Sequence, residues 1–350
     1  MNKTIDRSMF QSDDKPCVLV TGGSGYVGGH ICKALSEAGY LPVNIDRQET
    51  AWSSTWGPFH KMDFRYIDKV DPWLCGTSSS SQYNVCAVIH CAANSLVGPS
   101  VSDPKLYYEN NVIGTINFLN YLGSRGINNF VFSSSSSVYG NQEIIPINED
   151  FAELRPLTSY GRSKQIIEGV LKDYNIAYDF RSVALRYFNA CGADFDQEVG
   201  QVKDATHVIA RILESIINDE TFTIFGNDYD TYDGTCIRDY THVWDLALAH
   251  VSAVDYLIKG GTSEVLNLGA GEGQSVKDII DEVNETVGRL PKIKQGDRRA
   301  GDPEVVVADI WKAKHTLGWA PQFSDLNTIV ETAWKWYNSN MFNTLNRKTR

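Results

Sequence analysis

The sequence predicts an α/β protein built on a doubly wound parallel sheet, followed by a smaller mixed α/β domain. Three observations carry this prediction. Short β-branched runs alternate with helical patterns through the first half of the chain, as in βαβ units. A glycine-rich turn joins the first predicted strand to the first helix. After about residue 188 the alternation weakens, and loops rich in Gly, Asp and Pro separate the remaining helical patterns.

The predicted elements follow in chain order. The first strand is Cys17–Thr21, and the helix after it, Tyr26–Ala38, is ended by Gly39. The later strands of the first half are predicted over Leu41–Ile45, Val85–His90, Phe130–Ser133 and Ser182–Leu185. Helices are predicted over Leu106–Leu122, Ser159–Tyr174, Ala205–Asn218, Trp244–Ile258, Val276–Val287 and Asn327–Asn338.

The length of 350 residues suits about two domains. We expect a disordered tail over 1–15, a nucleotide-binding domain over 16–188 and a substrate domain over 189–345, with segments near 236–266 returning to the first domain. The tail has no apolar core typical of a signal peptide, and no apolar run is long enough to span a membrane. A protein that acts at no membrane is therefore expected.

Charge and residue content narrow the class of function. The net charge is -11 and no run of Lys and Arg occurs, which argues against a nucleic-acid partner. The seven cysteines are odd in number and show no C-x-x-C spacing, as expected of reduced thiols in a cytoplasmic protein. The seven histidines show no metal-ligand spacing, so no metal is expected.

The turn after the first strand, in VLVTGGSGYVGGH, carries two overlapping glycine patterns built on Gly22, Gly23, Gly25 and Gly28. Glycines permit a tight turn and a close backbone approach to a pyrophosphate, and the following helix N-terminus favours negative charge. A structural turn without a ligand is the minority alternative, because this turn follows a strand and opens a helix. The pattern predicts a dinucleotide site of the Rossmann type.

Asp46 ends the second predicted strand, where a carboxylate accepts hydrogen bonds from the adenosine ribose and repels a 2′-phosphate. This favours NAD over NADP, although the neighbouring Arg47 can assist NADP. Asp63 is either an adenine contact, with Phe64 packing beside it, or a solvated loop acid. Ala92 follows the predicted strand Val85–His90, and its small side chain would let the backbone pass close to a cofactor. From the pattern alone, the helical pair Asn110 and Asn111 is polar surface.

Ser135, Tyr160 and Lys164 form the candidate catalytic group. Tyr160 and Lys164 lie four residues apart on a predicted helix and so share one face. An ammonium beside a phenol lowers the pKa of the phenol and prepares it as a general base. Ser135 follows a strand and can hydrogen-bond the substrate oxygen that loses its proton. The group predicts alcohol-to-ketone chemistry beside a hydride acceptor.

Together these segments resemble the extended short-chain dehydrogenase/reductase family. RYFNACGA, DGTCIRDYTHV and RRAGDPEVVVAD resemble its nucleotide-sugar epimerase branch, and the matching segments run from about residue 16 to 338. The resemblance implies retained NAD, a UDP-sugar substrate and a homodimer paired through the helices near Leu106–Leu122 and Ser159–Tyr174. It also implies reversible inversion at C4 of UDP-hexoses through a transient 4-keto sugar.

The resemblance also assigns residues. Tyr160 is the base, Lys164 lowers its pKa and holds the nicotinamide ribose, and Ser135 positions the sugar hydroxyl. The cofactor contacts it implies are Gly22, Gly25, Tyr26, Val27, Gly28, Asp46, Asp63, Phe64, Ala92, Asn110, Ser135, Tyr160, Lys164 and Phe188. The UDP-sugar contacts it implies are Ser135, Tyr160, Asn189, Arg238, Arg299, Asp302 and Val306.

The physical properties of the second-half residues agree with these roles. A guanidinium suits a diphosphate, so Arg238 and Arg299 are expected to bind phosphate while Asp302 accepts from the uridine ribose. At the position of Val306 some epimerases carry a tyrosine that closes the pocket around the C2 substituent. The smaller valine predicts room for an N-acetyl group.

Three alternative functions compete with this interpretation. A nucleotide-sugar 4,6-dehydratase needs an acid pair beside the catalytic serine, whereas Ser134–Ser137 contains none. An epimerase or decarboxylase acting on a uronate or pentose sugar stays open. A non-catalytic NAD-binding regulator is expected to have lost Tyr160 or Lys164, and both are present.

Overall fold

The structure, a computed structural model, describes residues 15–70, 74–76, 82–202, 206–299 and 302–347. The predicted tail over 1–15 lies outside these residues except for Lys15. No helix among the described residues is long and apolar enough to cross a membrane.

The strands of the described residues are two to eight residues long and are distributed over both halves of the chain. They are β1 (Cys17–Thr21), β2 (Leu41–Asp46), β3 (Phe59–Lys61), β4 (Cys75–Gly76), β5 (Tyr83–His90), β6 (Asn129–Ser135), β7 (Arg181–Tyr187), β8 (Asn189–Cys191), β9 (Thr221–Phe225), β10 (Ile237–Arg238), β11 (Tyr240–His242), β12 (Glu264–Leu268), β13 (Gln274–Ser275), β14 (Lys292–Gly296) and β15 (Val305–Val306).

The α-helices connect these strands. They are α1 (Tyr26–Glu37), α2 (Ile67–Val70), α3 (Val97–Ser102), α4 (Pro104–Tyr107), α5 (Gly114–Ser124), α6 (Ser159–Tyr178), α7 (Val208–Asn218), α8 (Val243–Ile258), α9 (Val276–Val287), α10 (Trp311–Leu317), α11 (Leu326–Tyr337) and α12 (Asn340–Arg347). Short 3₁₀ helices cover Phe64–Tyr66 and Ser136–Val138, and a π-helix covers Tyr108–Ile113.

Eight parallel strands form the main sheet in the order β12-β7-β6-β5-β1-β2-β3, with β4 paired to β5. The chain builds outward from β1 to β3, then returns to the other side of β1 at β5. The strand order therefore reverses between β1 and β5, which is the point where open α/β sheets bind ligands. This topology confirms the predicted doubly wound, Rossmann-type sheet.

Both faces of the sheet are covered by helices, as the apolar strands require. Val18 and Val20 of β1 pack with α1 and α8, and α8 lies against α1. Leu19 points to the opposite face, where it packs with Phe118 of α5 and Ile167 of α6. Burial of each such side chain contributes about 1.5–3 kcal/mol. The alternation along β1 thus fixes which helices lie on which face.

The second half adds three small sheets: β10 with β13 and β15, β8 with β11, and β9 with β14. A separate apolar cluster holds its helices together around Trp336 of α11 and Ile212 of α7. Two elements of the second half of the chain lie against the first half: α8 covers α1, and β12 pairs with β7. The carboxyl end of β12 therefore joins the edge of the main sheet at which the nucleotide site is predicted.

Several element boundaries differ from the predicted ones. The predicted helix Leu106–Leu122 is interrupted by the π-helix Tyr108–Ile113. The helix that begins at Ser159 continues to Tyr178 and ends at Asp179, which adopts a left-handed conformation with φ 51°. The predicted strand Phe130–Ser133 extends to Ser135. The helix predicted from Ala205 begins at Val208, and residues 203–205 lie outside the described part.

Asp245 is expected to be a main stabilising contact of the second half. It is fully buried on α8, and its carboxylate accepts from Gln322 N at 2.9 Å, Phe323 N at 2.9 Å and Ser324 Oγ at 2.6 Å. Asp245→Asn should lower the free energy of unfolding by about 2 kcal/mol, because the amide leaves one buried donor unpaired. Urea denaturation measures this change. Exposed Asp281→Asn is the control, expected to change the free energy by less than about 0.5 kcal/mol.

Candidate active site

The candidate site lies where the parallel strands end. Strand register pairs Thr21 of β1 with His90 of β5, and Ser135 of β6 with Tyr187 of β7. The residues that follow β1 and β5, and the last residue of β6, therefore meet at one edge of the sheet. The structure brings the glycine turn, Asp46, Ala92 and Ser135 to this edge.

The glycine turn is shaped so that side chains are excluded from it. The amide of Gly25 donates to Gly22 O at 3.0 Å, and Gly22 has φ +79°. A Cβ on Gly22 would lie 2.7 Å from Ala92 N, and a Cβ on Gly28 would lie 2.1 Å from Gly22 O. A side chain at Gly22 or Gly28 would therefore collide with the backbone, and Ala92 lies directly beside the turn. A dinucleotide pyrophosphate fits such a turn at a helix N-terminus.

The side chains of Tyr26 and Val27 point away from the turn. The Tyr26 hydroxyl donates to Gly192 O at 2.7 Å, and burial raises its pKa well above the usual value. Val27 packs against the core cluster beneath α1. The Tyr26 hydroxyl is thus engaged by the protein, and both residues are half-buried.

Asp46 is half-buried at the end of β2. Its Oδ2 accepts from Ser24 N at 3.2 Å and its Oδ1 accepts from Gln48 N at 3.0 Å. Burial raises the pKa of this carboxyl, while the amide donors and Arg47 act in the opposite direction. The carboxylate thus lies beside the glycine turn, as an acceptor for ribose hydroxyls requires, and Arg47 is exposed.

The Phe64 side chain lies in the core beside the sheet edge, and its contact with a cofactor stays a prediction. The Phe64 ring is buried, with its centroid 4.8 Å from that of His90 and 5.8 Å from that of Phe118. Asp63 accepts from Arg65 N at 3.1 Å and forms an ion pair of 2.6 Å with the Arg65 guanidinium, which holds its pKa below the usual value. Asp63 is therefore a paired acid, and the Phe64 ring packs in the core.

The interpretation of Asn110 and Asn111 as polar surface is wrong, because both are buried in the π-helix. The Asn111 amide bonds Asn94 N at 2.9 Å, Asn94 O at 3.0 Å and Ser163 Oγ at 3.2 Å, so it joins the loop after β5 to α6. Asn110 Nδ2 donates to Asn111, while the buried Asn110 Oδ1 has no partner. π-helical turns occur frequently at functional sites. An orphaned acceptor here fits a bound group that donates a hydrogen bond.

The structure brings Ser135, Tyr160 and Lys164 together. Ser135 Oγ accepts from Ser137 N at 3.2 Å and donates to Ser137 Oγ at 3.1 Å, and it lies close enough to the Tyr160 phenol to act against the rise of the phenol's pKa. Thr158 caps the start of α6 through a bond from Gly161 N to its Oγ1 at 3.2 Å. This cap fixes the first turn of the helix, on which Tyr160 lies.

Lys164 is buried, and its Nζ donates to Ser133 O at 2.6 Å. It lies 5.7 Å from the centroid of the Tyr160 ring. Burial lowers the pKa of Lys164 to about 8 and raises that of Tyr160 to about 12, with Ser135 acting against the latter shift. The predicted lowering of the Tyr160 pKa is therefore absent from this structure, because the ammonium faces a carbonyl and desolvation dominates.

A buried ion pair that the sequence analysis missed holds α6 against the sheet. Glu168 Oε2 pairs with Arg186 Nη2 at 2.6 Å, and Glu168 Oε1 accepts from Ser134 Oγ at 2.6 Å. Arg186 also donates to the Tyr139 hydroxyl at 2.7 Å. Glu168 follows Lys164 by one helical turn, so a carboxylate on the same face was the available signal. The contact places the helix of the candidate base beside the strand that ends in Ser135.

Arg238, Arg299 and Asp302, the residues predicted to bind UDP, lie in the second half of the chain. Arg238 of β10 forms an ion pair with Asp302, and Arg238 Nη1 donates to Ile237 O at 2.8 Å. Asp302 is therefore engaged by an arginine, rather than lying free as an acceptor for ribose. Arg299 is exposed, with its guanidinium 4.1 Å from the centroid of the Phe225 ring. Phe225 was not predicted, and nothing in its local sequence pattern marks it.

Phe188, Asn189 and Val306 lie between the two halves. Phe188 is buried in a small apolar cluster with Tyr139. Asn189 Nδ2 donates to Asp239 O at 2.8 Å. Val306 is half-buried and pairs with Arg238 across parallel strands. The structure thus brings Asn189, Arg238 and Val306 around one unpredicted residue, Asp239.

One group of acids among the described residues has the spacing of metal ligands, namely Asp194, Asp196 and Glu198. The Lys33 ammonium lies 2.9, 2.7 and 2.8 Å from their carboxylates. The group is therefore an ion-pair network that joins α1 to the 194–198 loop. The described cysteines 17, 32, 86, 91, 191 and 236 are free thiols.

Comparison with known proteins agrees with this geometry. Residues 18–269 match the NAD dependent epimerase/dehydratase family. The UDP-glucose 4-epimerase of Rhizobium meliloti is 44% identical over 91% of this chain and 96% of its own. The structure of UDP-glucose 4-epimerase from Brucella ovis in complex with NAD is 41% identical, with a TM-score of 0.86 over 91% of this chain and 97% of that chain.

A second structure, UDP-glucose 4-epimerase from Bifidobacterium longum in complex with NAD+ and UDP, is 29% identical. Its TM-score is 0.84 over 93% of this chain and 99% of that chain. The family match confirms the resemblance found in the motifs and the NAD cofactor that it implied. The chain thus belongs to the NAD dependent epimerase/dehydratase family.

Proposed function

We propose that this protein is an NAD-dependent epimerase that interconverts UDP-glucose and UDP-galactose by inverting C4 through a transient 4-keto sugar. The observation that carries the proposal is the meeting of Ser135, Tyr160 and Lys164 with the glycine turn and Asp46 at one sheet edge. Relatives of this name match nearly the whole chain. The acid-free stretch Ser134–Ser137 argues against a dehydratase.

In this proposal Tyr160 takes the proton of the sugar 4-hydroxyl, and Ser135 hydrogen-bonds the same oxygen. Bound NAD accepts the hydride from C4 and returns it. Because burial holds Tyr160 protonated, the phenolate must form when positive charge lies close to the phenol. Lys164, on the same helical face, would supply one such charge once its ammonium turned from Ser133 O toward the phenol. Tyr160 then returns the proton to the oxygen at C4.

Inversion requires a firm hold on UDP and a loose hold on the sugar, so that the keto sugar can present its other face. We assign the NAD-binding role to residues 16–188 and the UDP-sugar role to 189–345, with 236–266 returning to the first domain. Arg238 and Arg299 would bind the diphosphate. Asp302, which pairs with Arg238 in this structure, would then accept hydrogen bonds from the uridine ribose instead. The sugar would contact Ser135, Asn189 and Val306.

Tyr160→Phe should lower kcat for UDP-galactose by ~10²- to 10⁴-fold, because the substrate hydroxyl loses its base. KM and retained NAD should change little. A coupled assay of UDP-glucose formation measures this effect. Tyr178→Phe, on the exposed end of the same helix, is the matched control and should leave kcat unchanged. Near wild-type kcat for Tyr160→Phe would rule out the assigned base.

We further propose that the protein also interconverts UDP-GlcNAc and UDP-GalNAc, since Val306 is small and half-buried beside Arg238. Val306→Tyr should lower kcat/KM for UDP-GalNAc by at least ~10-fold, because the ring fills the space of the N-acetyl group. Turnover of UDP-galactose by the same variant is the internal control and should persist. The proposal is wrong if the unmodified protein does not turn over UDP-GlcNAc.

We propose a homodimer that pairs through α5 and α6. Positions on the outer face of α6 repeat at intervals of four and three, as in a helix-packing seam, and they are exposed: Arg162, Ile166, Gly169, Asp173 and Ile176. The neighbouring face presents Ile113, Asn117, Asn120 and Ser124. A Cβ on Gly169 would meet nothing within 4 Å, which leaves room for a closely packed second helix.

Ile166→Glu should convert a particle of twice the chain mass into a monomer, because two like charges would face each other across the symmetric seam. Light scattering after size exclusion measures the mass. Ile217→Glu, at an exposed isoleucine on α7, is the control and should keep the wild-type mass. A wild-type monomer would contradict the proposal.

The free thiols favour a reducing compartment, so we assign the enzyme to the cytoplasm.

A further inference from the structure

Asp239, which the sequence analysis did not single out, lies at the centre of the residues assigned to the UDP-sugar. It is fully buried in the short link between Arg238 and Tyr240. Its carboxylate accepts from Ala270 N at 2.6 Å, Gly271 N at 3.0 Å and Ala308 N at 3.1 Å. One side chain thus fastens the loop after β12 and the segment after β15 to β10.

The backbone of Asp239 makes a second set of contacts. Its N–H donates to Val306 O at 3.0 Å. Its carbonyl accepts from Asn189 N at 3.1 Å and from Asn189 Nδ2 at 2.8 Å. One N–H of the Asn189 amide is used in this way, which leaves its other N–H and its Oδ1 to a ligand. Asn189 and Val306 are therefore both oriented by the residue that follows Arg238.

The residues around the Asp239 carboxylate leave no room for a larger or differently shaped side chain. A Cβ on Gly269 would lie 2.3 Å from Asp239 Oδ2, so the loop after β12 closes directly onto the carboxylate. Burial raises the pKa of Asp239 to about 6, while the three N–H donors favour the ionised form. The group is thus a carboxylate at neutral pH, held entirely by backbone amides. No cation is needed to pair it in this position.

We propose that Asp239 is a positioning residue for UDP-sugar binding, which sets the relative placement of Arg238, Asn189 and Val306. The inference rests on the proposed function, since Arg238 is assigned to the diphosphate there. A carboxylate that accepts three amides fixes three segments at once, and a guanidinium displaced by about 1 Å loses its bidentate geometry on a phosphate. Loss of Asp239 should therefore weaken UDP binding without altering the NAD site.

A purely structural role would give a different result, and Asp245 supplies the comparison. Asp245 is likewise fully buried and its carboxylate accepts three hydrogen bonds, but these hold residues 322–324 rather than the substrate segments. Asp239→Asn and Asp245→Asn each turn one acceptor oxygen into a donor facing buried N–H groups. Their effects on stability should be similar, whereas only Asp239→Asn should act on ligand binding.

The experiment measures UDP binding by calorimetry for the NAD-containing wild type, Asp239→Asn, Asp245→Asn and Arg238→Ala, with KM and kcat for UDP-galactose. We expect Asp239→Asn to weaken UDP binding by about 10- to 100-fold and to raise KM in parallel. Its kcat should fall by less than KM rises. Retained NAD, released by acid and quantified, should match the wild type. Asp245→Asn should bind UDP as the wild type does.

The outcomes separate the inference from the proposed function. If Arg238→Ala weakens UDP binding and Asp239→Asn does not, the positioning role is wrong and the assignment of Arg238 stands. If neither variant weakens UDP binding, the proposed diphosphate site itself is wrong, and the positioning role with it. If Asp239→Asn and Asp245→Asn weaken binding equally, the effect is one of general stability, and the inference is overturned. Should Asp239→Asn fail to fold, Gly269→Ala, which presses on the same carboxylate, should raise KM selectively; an unchanged KM would overturn the inference.

Discussion

The parallel register of the central strands is the constraint on which the rest of the structure depends. Thr21 pairs with His90, Ser135 with Tyr187, and Tyr187 with Leu268, so five strands end at the same edge. Four of these ends contribute a different part each: a glycine turn after β1, a close backbone passage after β5, a catalytic hydroxyl on β6 and a loop after β12 that is held by Asp239. A one-residue slip in any strand would turn these groups to the opposite face.

Burial and charge act against each other at the centre of this edge. Desolvation shifts both Tyr160 and Lys164 toward their neutral forms, which is unfavourable for a phenolate base. The fold offsets this by fixing the geometry, through the buried pair of Glu168 with Arg186 and the bond from Lys164 to Ser133 O. Positive charge brought close to the phenol then acts in a medium of low dielectric, where it has a larger effect than in water.

The sequence predicted the local parts well. The glycine turn, the central strands and the spacing of Tyr160 and Lys164 are set by short-range geometry, and these elements appear where they were expected. The missed features depend on partners distant in sequence. Burial of Asn110 requires the π-helix and the loop after β5, the Phe64 ring faces His90, and Asp239 meets amides of two separate loops. A single sequence carries no direct signal of such contacts.

In the proposed reaction C4 loses and regains the same hydride, while Tyr160 transfers only the hydroxyl proton. The most direct test incubates the purified protein, without added NAD, with UDP-glucose that carries deuterium at C4. We expect UDP-galactose that retains the deuterium at C4, because the hydride returns to the carbon it left. Replacement of that deuterium by solvent hydrogen would show that C4 is deprotonated, and would rule out hydride transfer as the step that inverts C4.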